Sequence, residues 1–210
     1  MEAQLVTTRS ASRLHVFLSR LLSKVGYKHR LYLECPFESG GDVDASDASV
    51  SIRELRTIDA DSFVEFREGP DAALFLERLH SGQRCYAAFV ADRLASVSWA
   101  AQGTPTLWAF NADFRIDDEV VYVFDSYTHP DFRGRRLQAS IFQAIRLDSD
   151  DKGVRTAVTF VAATNTANLR SRARLGFVIS GAVRRLRVGP WVWYFSSGNA
   201  PELKRHSPNP

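Results

Sequence analysis

A mixed α/β (α+β) fold, with one central sheet flanked by helices, follows from three features of the sequence. Residues 120–124 are apolar, β-branched and aromatic without strict alternation, the pattern of a strand covered on both faces. That run gives way to helical spacing at Leu137, Ile141, Phe142 and Ile145. A second β-rich run, 154–162, passes in the same manner into a helix opened by Asn165 and stopped by Gly176. Two hairpin patterns, 84–101 and 178–195, add antiparallel strands.

At 210 residues the chain is long enough to bury one sizeable core, and a single main domain is expected. No apolar run approaches the ~18 to 20 residues that span a bilayer. Cys35 and Cys85 lie far apart with no Cys-x-x-Cys or Cys/His cluster, so neither a disulfide framework nor a metal site is expected, and a reducing, cytoplasmic setting fits. The net charge of +3 suits an anionic ligand without requiring nucleic acid.

In chain order, residues 8–30 carry Leu14, Phe17, Leu18, Leu21, Leu22 and Val25 on one helical face. Arg9, Arg13, Arg20, Lys24, Lys28 and Arg30 accompany them with no acidic residue, which predicts a basic amphipathic helix. Its apolar face has two readings: docking on the protein's own sheet or a homodimer partner, or contact through residues 9–30 with anionic lipid or an acidic acyl carrier. A transit-peptide reading ranks last, because a strand-like segment, 29–37, follows almost at once. Residues 40–49 are small, acidic and turn-rich, which sets a boundary there: 1–48 an N-terminal helix, strand and linker, 49–198 the main domain, 199–210 a frayed polar tail. Within the main domain, 50–55 reads as a strand and 59–66 as a helix opened by Asp59 or Asp61. Residues 71–79 read as a helix with Ala72, Leu74, Phe75 and Leu79 on its apolar face. The hairpin 84–90/94–101 turns at Ala91-Asp92-Arg93, and a closing hairpin turns at Val188-Gly189-Pro190. Trp108, Phe110 and Phe114 are readable either as core or as a substrate wall.

The chemistry concentrates where residues 120–124 end. Pro130 removes a ladder donor and keeps His129 out of the helical region, so the strand must turn; Arg133, Gly134, Arg135 and Arg136 then lead into a helix N-terminus. Unpaired amides, the positive helix end and three arginines make an anion site, with phosphate the expected anion. Neither a Gly-x-Gly-x-x-Gly after a strand nor a Gly-x-x-x-x-Gly-Lys-Ser/Thr occurs. The segment His129-Pro130-Asp131-Phe132-Arg133-Gly134-Arg135 resembles the His-Pro-Asp/Glu-aromatic-Arg-Gly-basic turn of the GNAT superfamily of acyl-CoA N-acyltransferases. Downstream, Asn165 through Leu175-Gly176-Phe177 resembles that superfamily's Asn-x-x-Ala/Ser…Leu-Gly-Phe ending, in family order and spacing. The resemblance spans about residues 50–197.

It implies a mostly antiparallel central sheet with a splayed parallel strand pair, to which the basic helix read from residues 8–30 is an N-terminal helical extension. It also implies acetyl-CoA, or another acyl-CoA, as co-substrate without a metal, and a small-molecule or protein amine as acceptor. Carried over by position, Arg133, Gly134, Arg135, Arg136, Leu137 and Gln138 face the pyrophosphate, Phe124 and Ser126 lie beside the thioester, and Asn165 belongs to the cofactor set. Arg136 stands where the family usually has Gly, Gln138 where it has Gly or Ala, and Arg172 where many members have a thiolate-protonating Tyr. N-acyl transfer needs a neutral amine and a stabilised leaving thiolate. Asp125, or Glu119 through water, is the expected base, on the argument that a carboxylate beside an apolar strand holds its proton more tightly. Tyr127, Ser171 and Arg172 are the candidates at the leaving group. The alternatives are a catalytically inactive acyl-CoA-binding or interaction module and an acyl-carrier-dependent long-chain N-acyltransferase.

Overall fold

The computed structural model describes residues 25–39, 49–67 and 72–207. Eight strands make the main sheet: β1 (Val25–Pro36), β2 (Val50–Leu55), β3 (Arg84–Val90), β4 (Arg93–Ala101), β7 (Val120–Thr128), β8 (Thr156–Ala162), β9 (Val178–Val188) and β10 (Trp191–Gly198). Their spatial order is β10-β9-β1-β8-β7-β4-β3-β2. Three two-residue strands, β5 (Thr106–Leu107), β6 (Ala112–Asp113) and β11 (Lys204–Arg205), form a second small sheet. The helices are α1 (Ala60–Arg67), α2 (Ala72–His80), α3 (Leu137–Asp150) and α4 (Thr166–Arg174).

Both faces of the main sheet are covered, as the unalternating run in β7 predicts. On one side Phe63 of α1 and Phe75 of α2 pack with Trp99, Tyr122, Phe124 and Phe160. On the other, Leu137, Ile141, Phe142 and Ile145 of α3 pack with Val121, Val123 and Val161. Val121 and Tyr122 therefore point to opposite layers, each worth about 1.5–3 kcal/mol of burial. Among the described residues, no helix is long and apolar enough to cross a membrane.

Three expectations change. Val25 to Arg30 belong to strand β1, not to a helix, and the remainder of the basic helix lies outside the described residues. β1 pairs with β8 on one edge and β9 on the other, so a segment expected to precede the main domain is an interior strand of its sheet. Near the C-terminus, where a frayed tail is expected, Lys204 and Arg205 pair with Asp113 and Ala112, and the His206 Nδ1 lies 2.8 Å from Asp113 Oδ1.

One parallel pair interrupts the antiparallel order. β7 and β8 are in register at Val120↔Thr156, Val121↔Ala157 and Tyr122↔Val158, and pairing stops there although both strands continue. From Val123 onward the two strands are splayed. On its other edge β7 carries a bulge: Val97↔Tyr127 and Trp99↔Phe124 bracket one residue of β4, Ser98, against two of β7, Asp125 and Ser126. Asp125 takes the left-handed conformation (φ 47) that accommodates the extra residue.

The β3–β4 turn offers a stability test. Val90 pairs with Arg93, and the two residues between them, Ala91 (φ 48) and Asp92 (φ 61), are both left-handed, as a type I′ turn requires. Alanine is poorly suited to that conformation. Replacing the pair by Asn-Gly raises unfolding stability by roughly 1 kcal/mol in denaturant titration, without changing the m-value.

Candidate active site

Two cavities open on opposite sides of the splayed segment. The first, of 640 Å³, is lined by Thr128, residues 132–139, and Ser171, Arg174 and Leu175. It contains the whole basic turn singled out in the sequence. His129 caps the short 3-10 turn Pro130–Phe132 by accepting from the Asp131 amide at 3.3 Å, and the Arg133 amide bonds back to the Pro130 carbonyl at 3.2 Å. Gly134 (φ +83) and Arg136 (φ 57) are both left-handed, a backbone conformation that anion-binding nests also use. Arg136 adopts this at the place where glycine would do so without strain. Among the described residues the amides of Gly134, Arg135, Arg136, Leu137 and Gln138 find no hydrogen-bond partner. Five unpaired amides at a helix start, with four arginines around the cavity, fit a diphosphate.

Gln138 does not block that approach. Its Nε2 donates to Ser96 Oγ (2.7 Å), the Val97 carbonyl (2.9 Å) and the Tyr127 carbonyl (3.2 Å), all on β4 or β7. The side chain thus braces the β4–β7 bulge instead of entering the β7–β8 gap. Where the family resemblance expects a small residue, this chain uses an amide to satisfy carbonyls at the bulge.

The second cavity, of 270 Å³, is bordered by Phe124, Asp125 and Ser126 of β7, Asn168 and Arg172 of α4, and Arg30, Arg78, Tyr122 and Trp108. β7 and α4 therefore face both cavities, with Thr128, Ser171 and Arg174 on one and Ser126, Asn168 and Arg172 on the other. Arg172 is 5% exposed, and its Nη2 donates to Ser126 Oγ at 2.7 Å; Ser126 Oγ lies 2.7 Å from Ser98 Oγ. Burial pushes the Arg172 guanidinium down to about 10, which leaves it charged at neutral pH.

Asp125 corrects the expectation of a base. Arg67 Nη2 and Arg78 Nη1 reach its two carboxylate oxygens at 2.5 and 2.6 Å. Burial favours the protonated form, but the hydrogen bonds and charges of the two arginines outweigh it, and the carboxyl lies below its ordinary range. A carboxylate so held is a poor proton acceptor. Glu119 is exposed in the turn just before β7, six residues from Asp125 and so about 20 Å along the chain, too far for one bridging water. Tyr127 borders neither of these cavities but a third, of 520 Å³, with Phe66, His129 and Phe132; its ring packs edge-on against Phe66 at 5.3 Å and beneath the Arg67 guanidinium. Asn165 also borders neither, and caps α4 by accepting from the Asn168 amide at 3.1 Å.

Arg30, Arg67, Arg78 and Ser98 enter the site without having been singled out for it. Arg78 carried a visible signal, since it lies three residues after Phe75 on the buried face of α2, where a charge needs a partner. The aromatic segment divides its two readings. Phe110 and Phe114 are core, whereas Trp108 is 39% exposed and borders the second cavity.

A mostly antiparallel sheet with one splayed parallel pair, and a basic turn leading into a helix at the splay, defines the fold class. Comparison with solved structures agrees: the chain has the GNAT fold. A protein from Novosphingobium aromaticivorans described as a GNAT-family acetyltransferase superposes with a TM-score of 0.55 at 16% identity, over 83% of this chain and 66% of that one. A GCN5-related glucosamine N-acetyltransferase region of a fungal multi-domain β-N-acetylglucosaminidase superposes with a TM-score of 0.59 at 11% identity, over 89% of this chain and 23% of that one. The chain thus spans about two thirds of the first and a quarter of the second. By sequence it matches no family model and no curated protein.

The Asp125 cluster makes a direct test. Asp125→Ala leaves Arg67 and Arg78 facing each other without a counter-ion and costs about 3 kcal/mol of unfolding free energy at pH 7. Because the folded carboxyl titrates below the unfolded one, its contribution is complete above the ordinary carboxylate range and is lost as pH falls through the folded value. Melting curves of wild type and Asp125→Asn therefore converge on acidification below about pH 4.

Proposed function

We propose that the protein transfers an acyl group, most simply acetyl, from acyl-CoA to an amine by direct attack on the thioester. The observation that supports this reading is the pair of cavities on either side of the splayed β7 segment, one lined by the basic turn with its unpaired amides and the other by polar and charged side chains. The amides of Gly134 through Gln138, with Arg133, Arg135, Arg136 and Arg174, receive the pyrophosphate. Residues 123–128, without a β8 partner, align the pantetheine and the thioester carbonyl along the gap.

The amine nitrogen forms a bond to the carbonyl carbon, the C–S bond breaks and the electron pair leaves on sulfur. No covalent enzyme intermediate is needed. Arg172 stands at the leaving-group position implied by the family resemblance and contacts Ser126 beside the gap. A buried, charged guanidinium there stabilises a thiolate electrostatically, and Ser126, accepting from Arg172 and with Ser98 as donor in the Ser98–Ser126 contact, has its own proton for the sulfur. The ammonium proton of the acceptor is lost to solvent before attack; the second proton, shed from nitrogen as the amide forms, also passes to solvent, from which Ser126 regains the one it gives to sulfur.

Saturating CoA should raise the melting temperature, corresponding to about 2.7 kcal/mol at a hundredfold excess over Kd; no stabilisation at any concentration would remove this reading. Free-thiol release over an amine panel separates turnover from binding alone. Arg172→Met should lower kcat by roughly 10²–10³ while CoA still raises the melting temperature. Unchanged turnover in that variant would take Arg172 out of the chemistry.

A further inference from the structure

The second cavity holds an imbalance of charge that the acyl-transfer reading leaves unexplained. Three guanidinium groups, Arg30, Arg78 and Arg172, line it together with one carboxylate, Asp125, with which Arg67 also pairs from outside the lining. Arg67 and Arg78 are paired with Asp125; Arg172 donates to Ser126 Oγ, keeps its charge, and is assigned above to the leaving group. Arg30 alone has no side-chain partner among the described residues. It reaches the cavity from β1, two residues before the buried Tyr32 and so on the same face of the strand. Burial holds the Arg30 guanidinium below its ordinary range, and the neighbouring Tyr122 partly offsets this.

A half-buried guanidinium without a counter-ion in a cavity open to solvent is available to an incoming anion, which would offset its desolvation. Arginine's fork suits a planar or tetrahedral oxyanion. The same excess of positive charge disfavours an ammonium ion in the cavity, which lowers the proton affinity of a bound amine and helps deliver it neutral. That bears on the missing base, since Asp125 is locked and Glu119 is remote.

We propose that the acceptor is an amine carrying an anionic group, a carboxylate or a phosphate, that Arg30 binds in the second cavity. This inference rests on the acyl-transfer reading for the word acceptor, but the anion site can be tested without it. In steady-state thiol release with saturating acetyl-CoA, amino acids and phosphorylated amines are compared with the same amines amidated or dephosphorylated. The acidic members are preferred in kcat/KM by about 10-fold or more; which acid is preferred separates carboxylate from phosphate. Arg30→Met removes the preference by raising KM for the acidic acceptor, and Arg30→Lys restores part of it. Equal use of acidic and neutral amines would overturn the inference while leaving acyl transfer intact.

A second readout needs no turnover. Inorganic phosphate, added to protein already saturated with CoA, raises the melting temperature of wild type and not of Arg30→Met. Ligand-free Arg30→Met melts at or above the wild-type temperature, since it loses an uncompensated charge and keeps its apolar stem. If CoA itself does not bind, acyl transfer falls, and phosphate stabilisation that depends on Arg30 still decides the anion site. Phosphate stabilisation equal in wild type and Arg30→Met would overturn it.

Discussion

The one-residue bulge in β7 is the constraint on which the site depends. An antiparallel ladder that ran straight from Trp99 to Val97 would carry Ser126 to the other face of the sheet and leave Arg172 without its contact. The extra residue is Asp125, held left-handed, and a side chain in that conformation must be secured from outside its own strand. Arg67 at the end of α1 and Arg78 in α2 supply the force, so two helices across the sheet fix the path of the strand that borders both cavities. Gln138 secures the opposite side by taking up carbonyls of β4 and β7 near the bulge.

The same cluster decides which groups are free for chemistry. A carboxylate shared by two arginines is a structural anion, and using it as a base would require breaking the lock that shapes the strand. The site's remaining levers are charge and geometry: a buried guanidinium at Ser126, a second at Arg30, and five unpaired amides at the turn. Thioester aminolysis suits such levers, because its transition state builds negative charge and needs a neutral amine, and positive charge favours both.

Much of this was legible in the sequence because the signals are local. The strand-turn-helix at residues 120–145, the cap at Asn165 and the β3–β4 hairpin each rest on neighbours in the chain, and each appears in the structure. The basic turn was legible for the same reason, since Pro130 and Gly134 dictate backbone geometry by themselves. The environment of Asp125 was not: its partners lie 58 and 47 residues away, and an apolar strand read alone suggests a raised proton affinity where two distant arginines impose the reverse. The start of β1 failed through a clash of periods. Leu18, Leu21, Leu22 and Val25 extend a helical stripe into a segment whose pairing with Ala162 and Val183 at Arg30 makes it a strand. Gln138, which the resemblance marks only as a departure, has a role visible only once the bulge is seen.

The placement of β1 ties these points together. Between β8 and β9 it does more than widen the sheet, because β8 forms one wall of the splayed gap and is paired to β7 over only three positions. A strand so weakly joined on one side must be held on the other, and β1 holds it over seven, from Arg30↔Ala162 to Pro36↔Thr156. The first of those seven is Arg30, the residue that brings an unpartnered charge to the second cavity. Removing β1 would therefore loosen the gap and lower the cavity's positive charge together, so the segment that the sequence reading set apart from the main domain is where the sheet's integrity and the second cavity's charge coincide.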